Sequence, residues 1–237
     1  MTLFLFLQVL TDSFVSKFTA AAPLVLRTHN LHTKLVEEVF LFCNDVCRRP
    51  ASAQILGEDE SLSCIKTAFV SHSLSVDVVR RCTSMLWCLC GDATIAERAT
   101  TKGLMSSCVD SLQRNVSDVI VVRNVAGVAG NVALHSSDLR RYLLKENVPK
   151  TITLCIKSLE FSAEVASACL KALANLCADV EIASSFVAEE GMTFITSVMT
   201  VHLTVVDVQE AAFKCIEVLC RTEENPLLWS CKTRSVV

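Results

Sequence analysis

Five stretches of this 237-residue chain repeat one another at a fixed spacing. They read LVEEVFLFCNDVC (35–47), VVRRCTSMLWCLC (78–90), VVRNVAGVAGNVA (121–133), VASACLKALANLC (165–177) and VQEAAFKCIEVLC (208–220). Their penultimate residues Val46, Leu89, Val132, Leu176 and Leu219 are all large aliphatics, separated by steps of 43, 43, 44 and 43 residues. A period of this size specifies an α-solenoid, because a short helical unit cannot bury its apolar face alone and must stack on its neighbours. The expected domain organisation is a single array over residues 1–237. It holds a partial first repeat at about 1–47, repeats ending near 90, 133, 177 and 220, and a partial last repeat over 221–237.

Composition bounds what fills the core. The chain is 51% hydrophobic with 6 Gly and 4 Pro, too apolar and too poor in breakers for disorder. Aromatic content is 6%, so aliphatic, Ala and Cys side chains must build the interior. A net charge of −3 argues against a globally basic nucleic-acid binder. Of the 13 cysteines, Cys47, Cys90, Cys177 and Cys220 share one repeat position with Ala133. Cys82 and Cys169 share another with Val39, Val125 and Ala212. A position that alternates Cys with Ala and Val wants a small apolar side chain. The odd count and the helical setting point away from a disulfide framework and towards a reducing, intracellular compartment. The cytoplasm is the expected location, with nucleus or cilium also open.

The N-terminal MTLFLFLQVL lacks a basic residue before Lys17, and its apolar run is short. A secretory signal wants a charged start and a longer apolar block, so these residues read better as the tail of a preceding repeat. No stretch reaches the ~20 continuous apolar residues of a membrane-spanning helix, and no membrane insertion is expected.

Breakers divide each interval into three helices. In the fourth, Asp179–Glu190 carries Ile182, Phe186 and Val187 at helical spacing, with Gly191 expected as the helix stop. Met192–Met199 forms a second short helix, and Val208–Cys220 a long third one with Val208, Ala212, Cys215, Ile216 and Leu219 inward. Gly103 and Asn147 hold the equivalent stop in the second and third intervals, since both tolerate a left-handed backbone. Pro149 sits where a first helical turn would accept it. No segment alternates with period two, so the expected fold is all-α.

These residues resemble the armadillo repeat: short helix, Gly or Asn, second short helix, then a long helix ending in A-L-x-N-L. Ala172-Leu173-Ala174-Asn175-Leu176 reproduces that ending, Gly130-Asn131-Val132 echoes it, and Asn225-Pro226 is similar to the entrance of a following repeat. HEAT repeats are the near alternative, with two-helix units and different proline and charge signatures. The resemblance implies an armadillo-type α-solenoid, a right-handed superhelix of three-helix repeats, whose third helices line a concave groove for an extended peptide. It also implies that Asn at the position of Asn175 clamps the peptide backbone, as a side-chain amide can donate and accept at once. That position reads Asp45, Cys88, Asn131, Asn175 and Val218. One turn earlier, nuclear-import receptors carry a tryptophan ladder; Leu41, Ser84, Gly127, Lys171 and Lys214 stand here instead, and Trp87 is out of register. A nuclear-localisation-signal receptor is therefore not expected.

Helical geometry places Arg80, Arg81, Arg123, Asn124, Lys171 and Lys214 on the clamp's face, with Glu37, Glu38, Asp45 and Glu210 towards the ends. A basic centre favours an acidic or phosphorylated peptide, because guanidinium pairs with carboxylate in bidentate fashion. Neighbour pairing between the charges is the bland alternative. The expected groove residues are Arg81, Arg123, Asn124, Asn131, Lys171, Asn175 and Lys214.

Chemistry is weakly signalled. Cys88 and Cys90 form C-x-C, and Cys43 and Cys47 share a helix face, but paired zinc-ligand spacings are missing. His29, His32, His72, His135 and His202 fall mostly in turns, with no ligand pattern. Phosphate-loop, G-x-S-x-G and H-E-x-x-H motifs are absent from the sequence. The expectation is a non-enzymatic scaffold without catalytic, metal or cofactor sites. The alternatives are a structural segment that self-associates end to end through uncapped faces and, less favoured, a cysteine- or metal-dependent enzyme.

Overall fold

The structure is a computed structural model that describes residues 12–221. The readings of MTLFLFLQVL and of Asn225-Pro226 with Leu227, Leu228 and Trp229 lie outside the described residues. Fourteen helices and no strand occur among those described. They are α1 (Asp12–Thr28), α2 (Thr33–Val46), α3 (Pro50–Leu56), α4 (Asp59–Ser71), α5 (Val76–Leu89), α6 (Ala93–Thr101) and α7 (Leu104–Arg114). They continue as α8 (Val119–His135), α9 (Ser137–Lys145), α10 (Val148–Ser158), α11 (Ala163–Leu176), α12 (Val180–Ala188), α13 (Gly191–Val201) and α14 (Val206–Arg221). Each of the five repeated stretches lies on a long helix: α2, α5, α8, α11 and α14, here termed third helices.

The local chemistry explains where helices start. Ser75, Asp92, Asp118, Ser136, Ser162 and Asp179 each stand at an N-cap and accept from a backbone N–H two or three residues on. These bonds, such as Asp118 Oδ1 to Val121 N at 3.0 Å, satisfy donors that the first turn leaves without helical partners. Pro50 and Pro149 sit in first turns, where the missing N–H costs nothing.

The first-to-second helix turns required one correction. Gly103 (φ +76°) and Asn147 (φ +57°) take the left-handed conformation expected of them. In the fourth interval the left-handed residue is Glu190 (φ +64°), while Gly191 begins α13. The reason for glycine at 191 is space: a Cβ there would lie 2.4 Å from the Phe186 ring.

The chain divides into two compact units, one ending at Arg114 and the other starting at Asn115. In the first, α1 packs on α3 and α4, and third helix α2 packs on third helix α5. Phe40, Cys43, Val46, Cys82, Met85, Leu86 and Leu89 are buried there. In the second, α11 packs between α8 and α14, so three third helices stack in succession. Leu170, Leu173, Leu176 and Leu219 are fully buried in this stack. The repeat positions that alternate Cys with Ala and Val are interior in most units: Cys82, Val125, Cys169 and Ala212 are each at most 1% exposed. Cys47, Cys90, Ala133 and Cys177 are also buried, whereas Val39 is half-buried and Cys220 is exposed.

Candidate functional site

The clamp register is most fully built on α8 and α11. Asn175 is half-buried near the end of α11 and donates from Nδ2 to the Gly130 carbonyl of α8 at 3.0 Å. The two helices come close enough because small residues face each other. A Cβ on Gly130 would lie 3.3 Å from Ala172 Cα, tighter than an ordinary contact. Asn131 is half-buried on α8, in the same register.

Among the charged candidates, acidic neighbours answer most of the cations. The Arg123 guanidinium pairs with Glu164 at the start of α11 and donates from Nε and Nη2 to Asn124 Oδ1 at 3.3 and 3.2 Å. Asn124 is completely buried, so the expectation that it contacts a partner is corrected. Its amide oxygen serves instead to fix the arginine. Lys214 is exposed and pairs with Glu217 at 2.8 Å, and Glu217 pairs in turn with Arg221. Lys171 is exposed on α11 and has no ion pair among the described residues.

In the first unit, half-buried Arg81 stands close enough to α2 to lower the carboxyl pKa values of Glu37 and Asp45. Burial pushes the Asp45 carboxyl up, and Arg81 pulls it partly back. Glu37 is held below the ordinary carboxylate range, first by its hydrogen bond from Lys34 at 3.1 Å and further by Ser75 Oγ. Arg80 lies 3.6 Å from Asp77 on its own helix.

The cysteines are mostly core. Burial pushes the Cys43 and Cys90 thiols up to about 12, and raises the Cys82 thiol well above its ordinary value. No cluster of three or more His, Cys, Asp or Glu able to hold a metal occurs among the described residues. Nor is any helix there long and apolar enough to cross a membrane.

Two features were not foreseen. His72 and His202 stand at equivalent second-to-third helix turns, and each reaches a backbone carbonyl one repeat earlier: Asn30 for His72 and Glu160 for His202, the latter at 2.8 Å. The two histidines share a repeat position in the sequence, but their partners are carbonyls and leave no sequence signal. The second feature is a groove of about 650 Å³ along α14, lined by Leu203, Val206, Glu210, Phe213, Lys214 and Glu217. Phe213 is 62% exposed, whereas Phe40, Thr83, Ala126 and Leu170, in the same repeat register, are at most 1% exposed. Nothing in the sequence marks Phe213; only its exposure singles it out.

No protein-family model matches the chain, and no curated protein matches its sequence. Among solved structures it is similar to a designed armadillo repeat protein in complex with the peptide (KR)4, at TM-score 0.72 and 14% identity over 84% of this chain and 81% of that one. A second designed armadillo repeat protein matches at TM-score 0.72 and 15% identity, again over 84% and 81%. A computationally designed armadillo repeat protein for modular peptide recognition matches at 0.67 and 15%, over 79% and 76%. Likeness at such identity establishes the fold. The chain has an armadillo-like repeat fold, an all-α solenoid architecture of three-helix units.

Proposed function

We propose that this chain is a protein-binding scaffold that holds an extended peptide along its third helices. The observation that carries the reading is the setting of Asn175. Its Nδ2 is spent on the Gly130 carbonyl, which fixes the side chain and leaves Oδ1 to accept from an incoming backbone N–H. Asn131 and Asn175 place amide oxygens in two successive units, which suits an extended chain whose N–H groups recur at regular intervals. Two designed proteins of the same fold support it, one solved with (KR)4 and one built for modular peptide recognition. Fold alone does not choose the ligand's charge; the side chains of the groove do.

Those side chains favour acidic or phosphorylated groups on the peptide. Lys171 offers an exposed ammonium, and Arg123, fixed by Asn124, would exchange Glu164 for a ligand anion. Arg81 and Lys214 would contribute in the same way, by exchange with acidic neighbours. An ion pair already present lowers the gain from each such exchange, so backbone capture by Asn131 and Asn175 carries the affinity. The test is fluorescence polarisation against an immobilised or labelled peptide library, comparing the native chain with N131A/N175A after circular dichroism has shown both folded. Loss of binding across peptides in the double variant, and of acidic peptides selectively in Lys171→Glu, is the expected result. Equal binding by native chain and double variant would end the groove reading, and unchanged acidic preference after R80E/R81E/R123E would end its charge component.

The α14 groove favours a second reading, self-association. Phe213 occupies a register buried elsewhere, so a second copy of the chain could cover it. Sedimentation velocity over a concentration series should then show association that Phe213→Glu abolishes. A native chain that stays monomeric at high concentration would exclude it.

A further inference from the structure

The middle three of the five third helices each bury two faces. On α5 these are Val78, Cys82 and Met85 on one side and Val79, Thr83 and Leu86 on the other, all at most 1% exposed. The same registers are buried on α8 and α11. The first and last described third helices bury one face each. α2 packs on the following third helix, α5, and buries Val36, Phe40 and Cys43. Its other face leaves Leu35 38% exposed, with Val39 and Phe42 half-buried. α14 packs on the preceding third helix, α11, and buries Val208, Ala212 and Cys215. Its other face leaves Phe213 62% exposed, with Ile216 half-buried. The open face of α2 is therefore the register that elsewhere receives a preceding third helix, and the open face of α14 the register that receives a following one.

We propose that α14 of one copy packs against α2 of a second, so that copies of the chain join head to tail as neighbouring repeats do. The inference rests on the self-association reading of the α14 groove and names the surface that fills it. Each open face is apolar and matches the other in register, so their contact buries what each leaves to solvent. The charges fit as well. In three interfaces the third residue of the repeated stretch reaches the start of the following third helix. Glu37 accepts from Ser75 Oγ at 3.1 Å, Arg123 pairs with Glu164, and Ser167 Oγ donates to the Asp207 carbonyl at 3.2 Å. On α14 that third residue is Glu210, exposed and without an ion pair among the described residues. On α2 the register of Glu164 and Asp207 is held by Lys34, which is exposed. A head-to-tail junction thus sets Glu210 against Lys34, the Arg123–Glu164 pair with its signs exchanged. Lys34 already bonds Glu37 on its own helix at 3.1 Å, so this pair adds little affinity and serves mainly to fix register. Further along, the register of the Asn175–Gly130 contact sets Asp45 against Glu217. Lys214 and Arg221, both paired with Glu217, offset that repulsion.

The two surfaces differ, so the contact is heterologous, and an open complex keeps one free face of each kind. Sedimentation velocity of the full chain over a concentration series tests this, with each variant first shown folded by circular dichroism. The native chain should form species that grow past the dimer as concentration rises. Phe213→Glu blocks the α14 face and Leu35→Glu blocks the α2 face. Each variant alone should sediment as a monomer, and their equimolar mixture as a dimer that grows no further. Lys34→Glu and Glu210→Lys should each weaken association about two- to fivefold, and the double variant should recover it. A Leu35→Glu chain that still dimerises alone would overturn the head-to-tail arrangement while leaving self-association through α14 in place. Native association that stops at the dimer and survives Lys34→Glu unchanged would do the same. A native chain that stays monomeric throughout would overturn both.

Discussion

At the scale of single residues, backbone conformation and charge each carry a measurable contribution. Glu190 holds a left-handed conformation that costs an L-residue with a Cβ roughly 1–2 kcal/mol, whereas glycine adopts it freely. Part of that gain is returned, because glycine also loosens the unfolded chain. Glu190→Gly should therefore raise unfolding free energy by about 0.5–1 kcal/mol in urea titration, and a loss would mean the Glu190 side chain contributes more than its strain removes. Glu37 gives a pH signature. Its carboxyl is lowered mainly by the Lys34 hydrogen bond, so the folded state favours the ionised form more than the unfolded state does. That stability is complete above the ordinary carboxylate range, about pH 4 to 5, and is lost as pH falls through the depressed folded value. Glu37→Gln should then show a shallower fall in stability between neutral pH and about pH 3 than the native chain. Parallel acid limbs in the two proteins would mean that Glu37 does not couple folding to protonation.

At the scale of elements, side-chain caps mark where many of the helices start. Ser or Asp stands before six of the helices and bonds the first turn, among them the third helices α5, α8 and α11, whereas α2 follows His32 without a side-chain cap bond. Ser162 is representative: its hydroxyl accepts from Val165 N at 3.4 Å at the start of α11. Ser162→Ala should cost about 0.5–2 kcal/mol, the usual worth of an N-cap, read as a fall in thermal midpoint. Because α11 packs against both α8 and α14, fraying of its first turn should also weaken Ser167 Oγ to Asp207 carbonyl, a 3.2 Å bond between α11 and α14. An unchanged midpoint would mean that solvent replaces the hydroxyl without loss. Second-to-third helix turns carry their own ties through His72 and His202, which join each turn to the turn one repeat before.

At the scale of the molecule, stability in such a fold is a sum over units and the interfaces between neighbours. Leu173 is fully buried in the second unit, in the helix that packs between α8 and α14. Leu173→Ala should cost about 2–5 kcal/mol through the lost burial and the cavity left behind. Hydrogen exchange should place the loss of protection in residues 115–221, with residues 12–114 much less affected, as expected when contacts are local. Equal loss in both units would contradict a nearest-neighbour description.

The period, the helix count per repeat and most of the interior cysteine positions follow from the sequence by itself, because each reflects a local preference or a repeated side-chain pattern. Gly103, Asn147 and Pro149 are legible for the same reason: their backbone demands act within one turn. Gly191 and Glu190 are not, since the left-handed residue is chosen by where Phe186 packs rather than by which residue tolerates the turn best. The groove divides in the same way. Periodicity brings Asn131 and Asn175 to one register, but only the packed helices reveal that Gly130 and Ala172 allow Asn175 to reach across, that Asn124 is buried beneath Arg123, and that acidic neighbours answer most of the basic residues. The exposure of Phe213 is likewise a product of packing. Such contacts join residues some forty positions apart, and a single sequence records which side chains are present at each repeat but not which of them touch.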